Sequence, residues 1–338
     1  MTASCLLSGA ISLGLTLILT PLVRNICLRL GICDLPGPLK IHAQPIPRLG
    51  GIAIAIGLAA GICSWTILTS NSGHPFLPAL AVIWIAGLAD DLGSISWFIR
   101  LVAQICAATL LWYGGCRLPW IGDSAVNWIF TTGLVIFFVN SVNFLDGTDG
   151  LAASVSAVIA ASYLALPGGY LSPLGDVVAS SILGTCAGFL VSNLPPAKLF
   201  MGDNGSTILG MGLSFLGLDF CRAGPSTKSP IIFPVLVAAI PLLDVILAIV
   251  RRLRNRVPIW KGDRFHFYDA MLARGCSSRN VVVFSSVLTF LMAAAARLSM
   301  LATPGFASLI CLVCLSGLLA GALKLGLLKK TSLERTTR

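Results

Sequence analysis

Apolar stretches long enough to cross a bilayer recur along this 338-residue chain, separated by short polar breaks. A spanning helix needs roughly 20 apolar residues to cross a hydrocarbon core about 30 Å thick. The pattern predicts an all-α, polytopic membrane protein with about eleven spans, near residues 4–24, 49–69, 75–89, 99–114, 128–142, 151–166, 176–193, 206–220, 231–250, 281–301 and 305–323. The segment at 75–89 is the weakest. It is short, carries Pro75 and Pro78 and ends on two carboxylates, so a re-entrant or tilted segment is the alternative there. The first stretch, from Ser4 to Val23, has no basic residue before it and no clear small-residue cleavage site, and reads as the first helix. No internal repeat, low-complexity tract or long linker divides the chain, which reads as one membrane domain over residues 1–338.

Composition agrees: 56% hydrophobic residues, 11% charged residues and a mean hydropathy of +0.92 exclude an ordinary water-soluble fold. A net charge of +10 would suit nucleic acid, but the basic residues flank spanning segments and no soluble domain is left to hold a duplex. Charge instead orients the chain. One set of alternating loops and the C-terminal tail hold nineteen of the 23 basic residues, among them Arg24, Arg29, Arg48, Arg100 and the dense run from Arg251 to Arg279. The positive-inside rule therefore predicts an external N-terminus and a cytoplasmic C-terminus. The eleven cysteines form no metal-ligand spacing, and the nearest pair, Cys311 and Cys314, lies inside an apolar run.

Twelve of the thirteen acidic residues are aspartate, and Asp90, Asp91, Asp146, Asp149 and Asp203 all fall at predicted cytoplasmic helix ends. Carboxylates are costly beside hydrocarbon, so they should face protein, water, a cation or each other. Adjacent Asp90 and Asp91 repel, which favours neutralisation by a hard, oxygen-seeking cation such as Mg²⁺. Three such clusters on one side argue against mere solvated helix ends.

The surrounding residues suit phosphate chemistry. The run from Asn140 through Asn143, Asp146 and Asp149 to Gly150 joins amide and carboxylate ligands to glycines that let backbone approach a ligand. A second run, from Pro195 to Ser206, adds Lys198 as a point charge for a phosphate oxygen and Asp203 as a carboxylate suited to a phosphate-bridging metal. The first basic loop holds Lys40 and Arg48 and ends in Pro47-Arg48-Leu-Gly50-Gly51 at a helix start, a setting for an anionic lipid headgroup. His266 stands with Asp263, Arg264 and Tyr268 in the last large loop, where it could close over a phosphorylated sugar. Asp244, inside the ninth predicted span, stays open; Arg251 or Arg252 are candidate partners.

Taken in order, Pro45 to Gly51, Asp90-Asp91, Asn140 to Leu151, Lys198 to Ser206, Asp244, and Asp263-Arg264 with His266 resemble the polyprenyl-phosphate N-acetylhexosamine-1-phosphate transferase family across nearly the whole chain. The resemblance implies transfer of a sugar 1-phosphate from a UDP-sugar to undecaprenyl phosphate in the bacterial inner membrane, releasing UMP at the cytoplasmic face. It also implies Mg²⁺, with Mn²⁺ as a substitute, and makes a homodimer plausible. Carried onto this chain, it sets Asn143 and Asp203 at the metal and Asp90 and Asp91 near the lipid phosphate. Asp146 and Asp149 go to the nucleotide or metal pocket, with His266 among the catalytic groups and Lys40, Arg48, Asn140, Lys198, Asp263 and Arg264 binding substrate. The last loop reads His266-Phe-Tyr268-Asp269 where the phospho-MurNAc-pentapeptide branch resembles a run of histidines, which points towards simple UDP-HexNAc or deoxy-HexNAc donors and O-antigen initiation. A transporter and a lipid-diphosphate phosphatase are the rival classes. A transporter predicts mid-bilayer charges and paired repeats, and a phosphatase predicts insensitivity to UMP.

Overall fold

A computed structural model of the chain describes residues 2–35, 44–69, 75–224, 230–261 and 265–328. Every predicted span holds helix. In chain order the helices are α1 (Ala3–Leu30), α2 (Gly51–Thr69), α3 (Phe76–Gly93), α4 (Trp97–Tyr113), α5 (Ser124–Leu145), α6 (Leu151–Leu164) and α7 (Pro173–Asn193). They continue with α8 (Asp203–Ala223), α9 (Ile232–Val237), α10 (Ala239–Arg254), α11 (Phe267–Leu272), α12 (Ser278–Leu301) and α13 (Pro304–Lys324). Seven of them, α1, α2, α3, α5, α7, α12 and α13, are long and apolar enough to cross a membrane by length and composition. The protein is an all-α, multi-pass membrane protein.

Three boundaries differ from the hydropathy pattern for local reasons. First, α1 runs six residues past the predicted 24 and stops at Gly31, whose φ of 68° is the left-handed cap conformation glycine adopts without strain. A two-residue antiparallel ribbon, β1 (Cys33–Asp34) with β2 (Ile46–Pro47), then returns the chain to α2. Second, 75–89 is neither re-entrant nor short: α3 is a continuous 18-residue helix. Third, the span at 231–250 is broken. Pro241 has no N–H to give the carbonyl of Val237 and its ring crowds that carbonyl, and the helix divides between Val237 and Ala239.

In a bilayer, lipid tails are as apolar as leucine, so helices associate through close packing of small residues. The contacts of α1 follow this rule. Ser8, Ser12, Thr16 and Thr20, four residues apart, make one buried face. Opposite lie Gly57 and Gly61 of α2, where a Cβ would strike the Thr16 and Ser12 hydroxyls, and Gly184 of α7, where it would strike the Gly9 carbonyl. At the centre of the bundle, α8 is buried along nearly its whole length, among α2, α3, α5 and α7. That central position brings its first residue, Asp203, to the end of the bundle where α3 and α5 finish.

Candidate active site

The site is organised by the start of α8. Gly202, which precedes it, has no side chain to cap the helix, and the first free N–H groups need acceptors. Asp91, on the last turn of α3, supplies them. Its carboxylate accepts the Asp203 and Asn204 backbone N–H groups at 3.0 and 2.9 Å and the Asn204 side-chain amide at 2.6 Å. The approach is close enough that Gly202, at φ 74°, admits no Cβ, since one would collide with the Asp91 carboxylate. Gly202→Ala is therefore expected to destabilise the protein by about 1–3 kcal/mol, read as a lower unfolding midpoint in detergent; an unchanged midpoint would show that the turn relaxes freely.

Asp203 itself is shared between three elements. Arg100 of α4 donates from Nη1 to Asp203 Oδ2 at 3.2 Å and to Asp90 Oδ2 at 3.0 Å, so one guanidinium joins the two carboxylates. Asn143 of α5 donates from Nδ2 to Asp203 Oδ1 and to Ser206 Oγ, both at 3.0 Å. That fixes the amide so that its oxygen points elsewhere. Asp90 is held from its other side by the Ile95 N–H at 2.8 Å.

Asp146 follows the last residue of α5 and accepts a backbone bond from Gly202. Burial, and then the negative charges of Asp203, Asp91 and Asp149, hold its carboxyl well above the usual carboxylate range. The cluster is thus short of positive charge, with Arg100 its close cation among the described residues. Asp149 accepts the Ala197 N–H at 2.9 Å, and Asn193 takes the Gly150 N–H while donating to the Leu199 carbonyl. These bonds tie the Asn140–Gly150 and Pro195–Ser206 runs to each other. The first loop joins them: Gly50 and Gly51 donate to the carbonyls of Phe200 and Met201, and Phe200 donates to that of Pro47.

The other predicted site residues divide. Arg48 sits at this junction with its Nε enclosed and without a hydrogen-bond partner among the described residues. Asn140 bonds Gln104 at 2.9 Å and the Ile136 carbonyl at 2.8 Å, turned away from the carboxylates. Lys198 is exposed, its carbonyl accepting from Arg24. Lys40, Asp263 and Arg264 lie outside the described residues. Sequence reasoning used Arg100 only as a topology marker, and it passed over Asn204, Gln104 and Asn193 altogether. Arg100 lies ten residues past Asp90 and its signal was a lone basic residue at a helix start; no local pattern marks the others.

His266 is buried, and it is the partner of Asp244, in place of the Arg251 or Arg252 that the sequence offered to that carboxylate. His266 Nδ1 and Asp244 Oδ2 are 2.6 Å apart, while Asp244 Oδ1 accepts the Phe267 N–H at 3.0 Å. The imidazole is stacked on Tyr268 and meets Phe144 edge-on at 5.1 Å. Tyr268 in turn packs its hydroxyl against Gly147, next to Asp146, so the last loop is seated on the carboxylate cluster.

Among the described residues no three carboxylate, histidine or cysteine groups stand ready in a metal-binding geometry. The donor chemistry nevertheless fits a hard divalent cation: Asp90 and Asp203 turn oxygens towards a common cationic group, and the neighbouring Asp146 has no cation paired with it among the described residues.

Residues 75–220 match the family model described as glycosyl transferase family 4, a range that holds Asp90, Arg100, Asn143, Asp146 and Asp203. The chain is 31% identical over 299 residues to a probable undecaprenyl-phosphate N-acetylglucosaminyl 1-phosphate transferase of Bacillus subtilis, covering 85% of this chain and 82% of that protein. It is 31% identical over 316 residues to a decaprenyl-phosphate N-acetylglucosaminephosphotransferase of Mycobacterium tuberculosis, covering 82% and 78%. It is also 31% identical over 320 residues to a phospho-N-acetylmuramoyl-pentapeptide-transferase of Pelotomaculum thermopropionicum, covering 84% and 94%.

Proposed function

Since the chain belongs to the polyprenyl-phosphate N-acetylhexosamine-1-phosphate transferase family, we propose that it moves a HexNAc-1-phosphate, or a deoxy-HexNAc-1-phosphate, from a UDP-sugar to undecaprenyl phosphate. The products are UMP and a lipid diphosphate sugar that initiates a cell-envelope polysaccharide such as O-antigen, at the cytoplasmic face of the bacterial inner membrane. The observation that carries the reading is the meeting of Asp90, Asp91, Asn143, Asp146 and Asp203 at one end of the bundle, with Arg100 joining Asp90 to Asp203.

Two phosphate-bearing substrates repel, so the site must supply positive charge and alignment before one can attack the other. The positive end of the α8 dipole points into the cluster and favours phosphate there. Arg100 adds a planar cation between Asp90 and Asp203, and the enclosed Arg48 Nε suits a further phosphate oxygen. Asp203 and Asp90 would hold Mg²⁺, which when bound polarises the phosphoryl oxygens and screens the charge on the departing UMP phosphate, while the Asn143 amide, which donates to Asp203, would orient that carboxylate. In the transfer we favour, an oxygen of the lipid phosphate attacks the phosphorus that bears the sugar, and the bond to UMP breaks. Asp90, oriented by Ile95 and Arg100, is the candidate to take any proton left on the attacking phosphate. An anionic nucleophile has little need of a covalent enzyme intermediate.

The test is UMP release by purified protein given undecaprenyl phosphate, Mg²⁺ and a panel of UDP-HexNAc donors. The expected result is UMP that requires lipid, metal and one class of donor. Failure of well-folded protein with every donor would return the transporter or phosphatase readings to the front.

A further inference from the structure

Asp244 has no place in the transfer described so far, yet it is a carboxylate only 3% exposed, set in the broken ninth span. It forms part of the wall of a mostly apolar cavity of about 410 Å³ between α10, α12 and α13, beside Leu243, Leu247 and Phe267. A carboxylate is costly there unless its oxygens are satisfied. Both are: Oδ1 takes the Phe267 N–H at 3.0 Å and Oδ2 meets His266 Nδ1 at 2.6 Å. Two consecutive residues of the last loop are thus bound by one carboxylate of α10, across 22 and 23 residues of chain. The same loop seats Tyr268 on Gly147 and sets the imidazole edge-on to Phe144, the neighbour of Asn143.

We propose, on the basis of the transferase reading above, that Asp244 is a positioning residue: it holds His266 over the carboxylate cluster with the ring proton on Nδ1, making Nε2 the proton-accepting atom of the imidazole. The ionised carboxylate is acceptor-only, so a neutral imidazole facing it must present Nδ1–H. The Phe267 N–H on the second oxygen fixes the carboxylate plane, and stacking on Tyr268 fixes the ring plane, leaving no rotation by which His266 could exchange its nitrogens. His266 then offers Nε2 to the substrate phosphates as a second proton acceptor beside Asp90, and Asp244 acts only through it.

Asp244→Asn is the discriminating change. The amide keeps the size and can still accept from Phe267, but its other end becomes a donor that demands the lone pair of Nδ1 and moves the ring proton to Nε2. The chain has three histidines, so ¹⁵N-histidine labelling gives three imidazole signals, with that of His266 identified by its loss in His266→Gln. At a pH high enough to keep the ring neutral, we expect His266 to carry its proton on Nδ1 in the wild type and on Nε2 in Asp244→Asn. A wild-type ring protonated on Nε2 would overturn the proposal without any assay of activity. In the UMP-release assay we expect Asp244→Asn to lose roughly a hundredfold or more in kcat with KM within about threefold. The double variant Asp244→Asn, His266→Gln should be no slower than His266→Gln alone. Wild-type turnover with an unimpaired Asp244→Asn, or additive losses in the double variant, would sink the positioning role while leaving the transferase reading intact. Absence of wild-type turnover would instead count against that reading, and the tautomer result would still decide the geometry.

Discussion

Asp203→Asn is expected to lower kcat for UMP release by at least a hundredfold, and on the order of a thousandfold, with the fold intact. The carboxylate lies at the meeting point of three helices: Arg100 and Asn143 both bond it, and its own N–H is capped by Asp91. Asparagine preserves the size and the cap but removes the negative charge that a divalent cation needs and that Arg100 now shares. Stability should change by only about 1 kcal/mol or less, because the Arg100 pair is partly solvated, with the two side chains 39% and 31% exposed. Turnover and the thermal unfolding midpoint, measured on one preparation, separate the two effects. Activity within fivefold of wild type would remove Asp203 from the site.

Asp91→Ala is expected to do the reverse, acting first on the fold. It leaves the Asp203 and Asn204 N–H groups without their acceptor and the buried Asn204 amide with only a long 3.5 Å bond to the Met201 carbonyl. A lost helix cap costs about 1 kcal/mol and each buried orphan donor about 1–3 kcal/mol, so a loss of roughly 3–5 kcal/mol is expected. Asp91→Asn should fall between, since one amide oxygen serves one of the three donors while the amide nitrogen faces the others. The check is the unfolding midpoint of both variants by near-ultraviolet circular dichroism in detergent. An alanine variant as stable as wild type would show that α8 starts without this cap.

The sequence made the membrane architecture legible because twenty-residue hydropathy is a local property, and each predicted segment holds helix. The break in the ninth span was also in reach: Pro241 stands in mid-span, and its missing N–H acts on residues within one turn. The carboxylates were recognisable by type and by their recurrence at helix ends. Their partners were not. Arg100 looks like any basic residue flanking a span until the fold sets it between Asp90 and Asp203, which are 113 residues apart. Asn204 sits next to Asp203 in the chain, yet its amide is committed to Asp91 of another helix. Asp244 met two nearby arginines on paper; its actual partner comes from a loop that folds back over the bundle, a contact that spacing alone does not encode. Roles that depend on which acid faces which cation are tertiary facts, and they emerge only when the helices are packed.

The cap that Asp91 gives to α8 also has a direction in time. The acceptor lies 112 residues upstream of the donor it serves. As the chain leaves the ribosome, α3 is made well before Gly202 appears, and the carboxylate is already waiting when the first turn of α8 needs it. A circular permutant that synthesises α8 before α3 would reverse that order, and the most deeply buried helix of the bundle would enter the bilayer with its leading N–H groups bare.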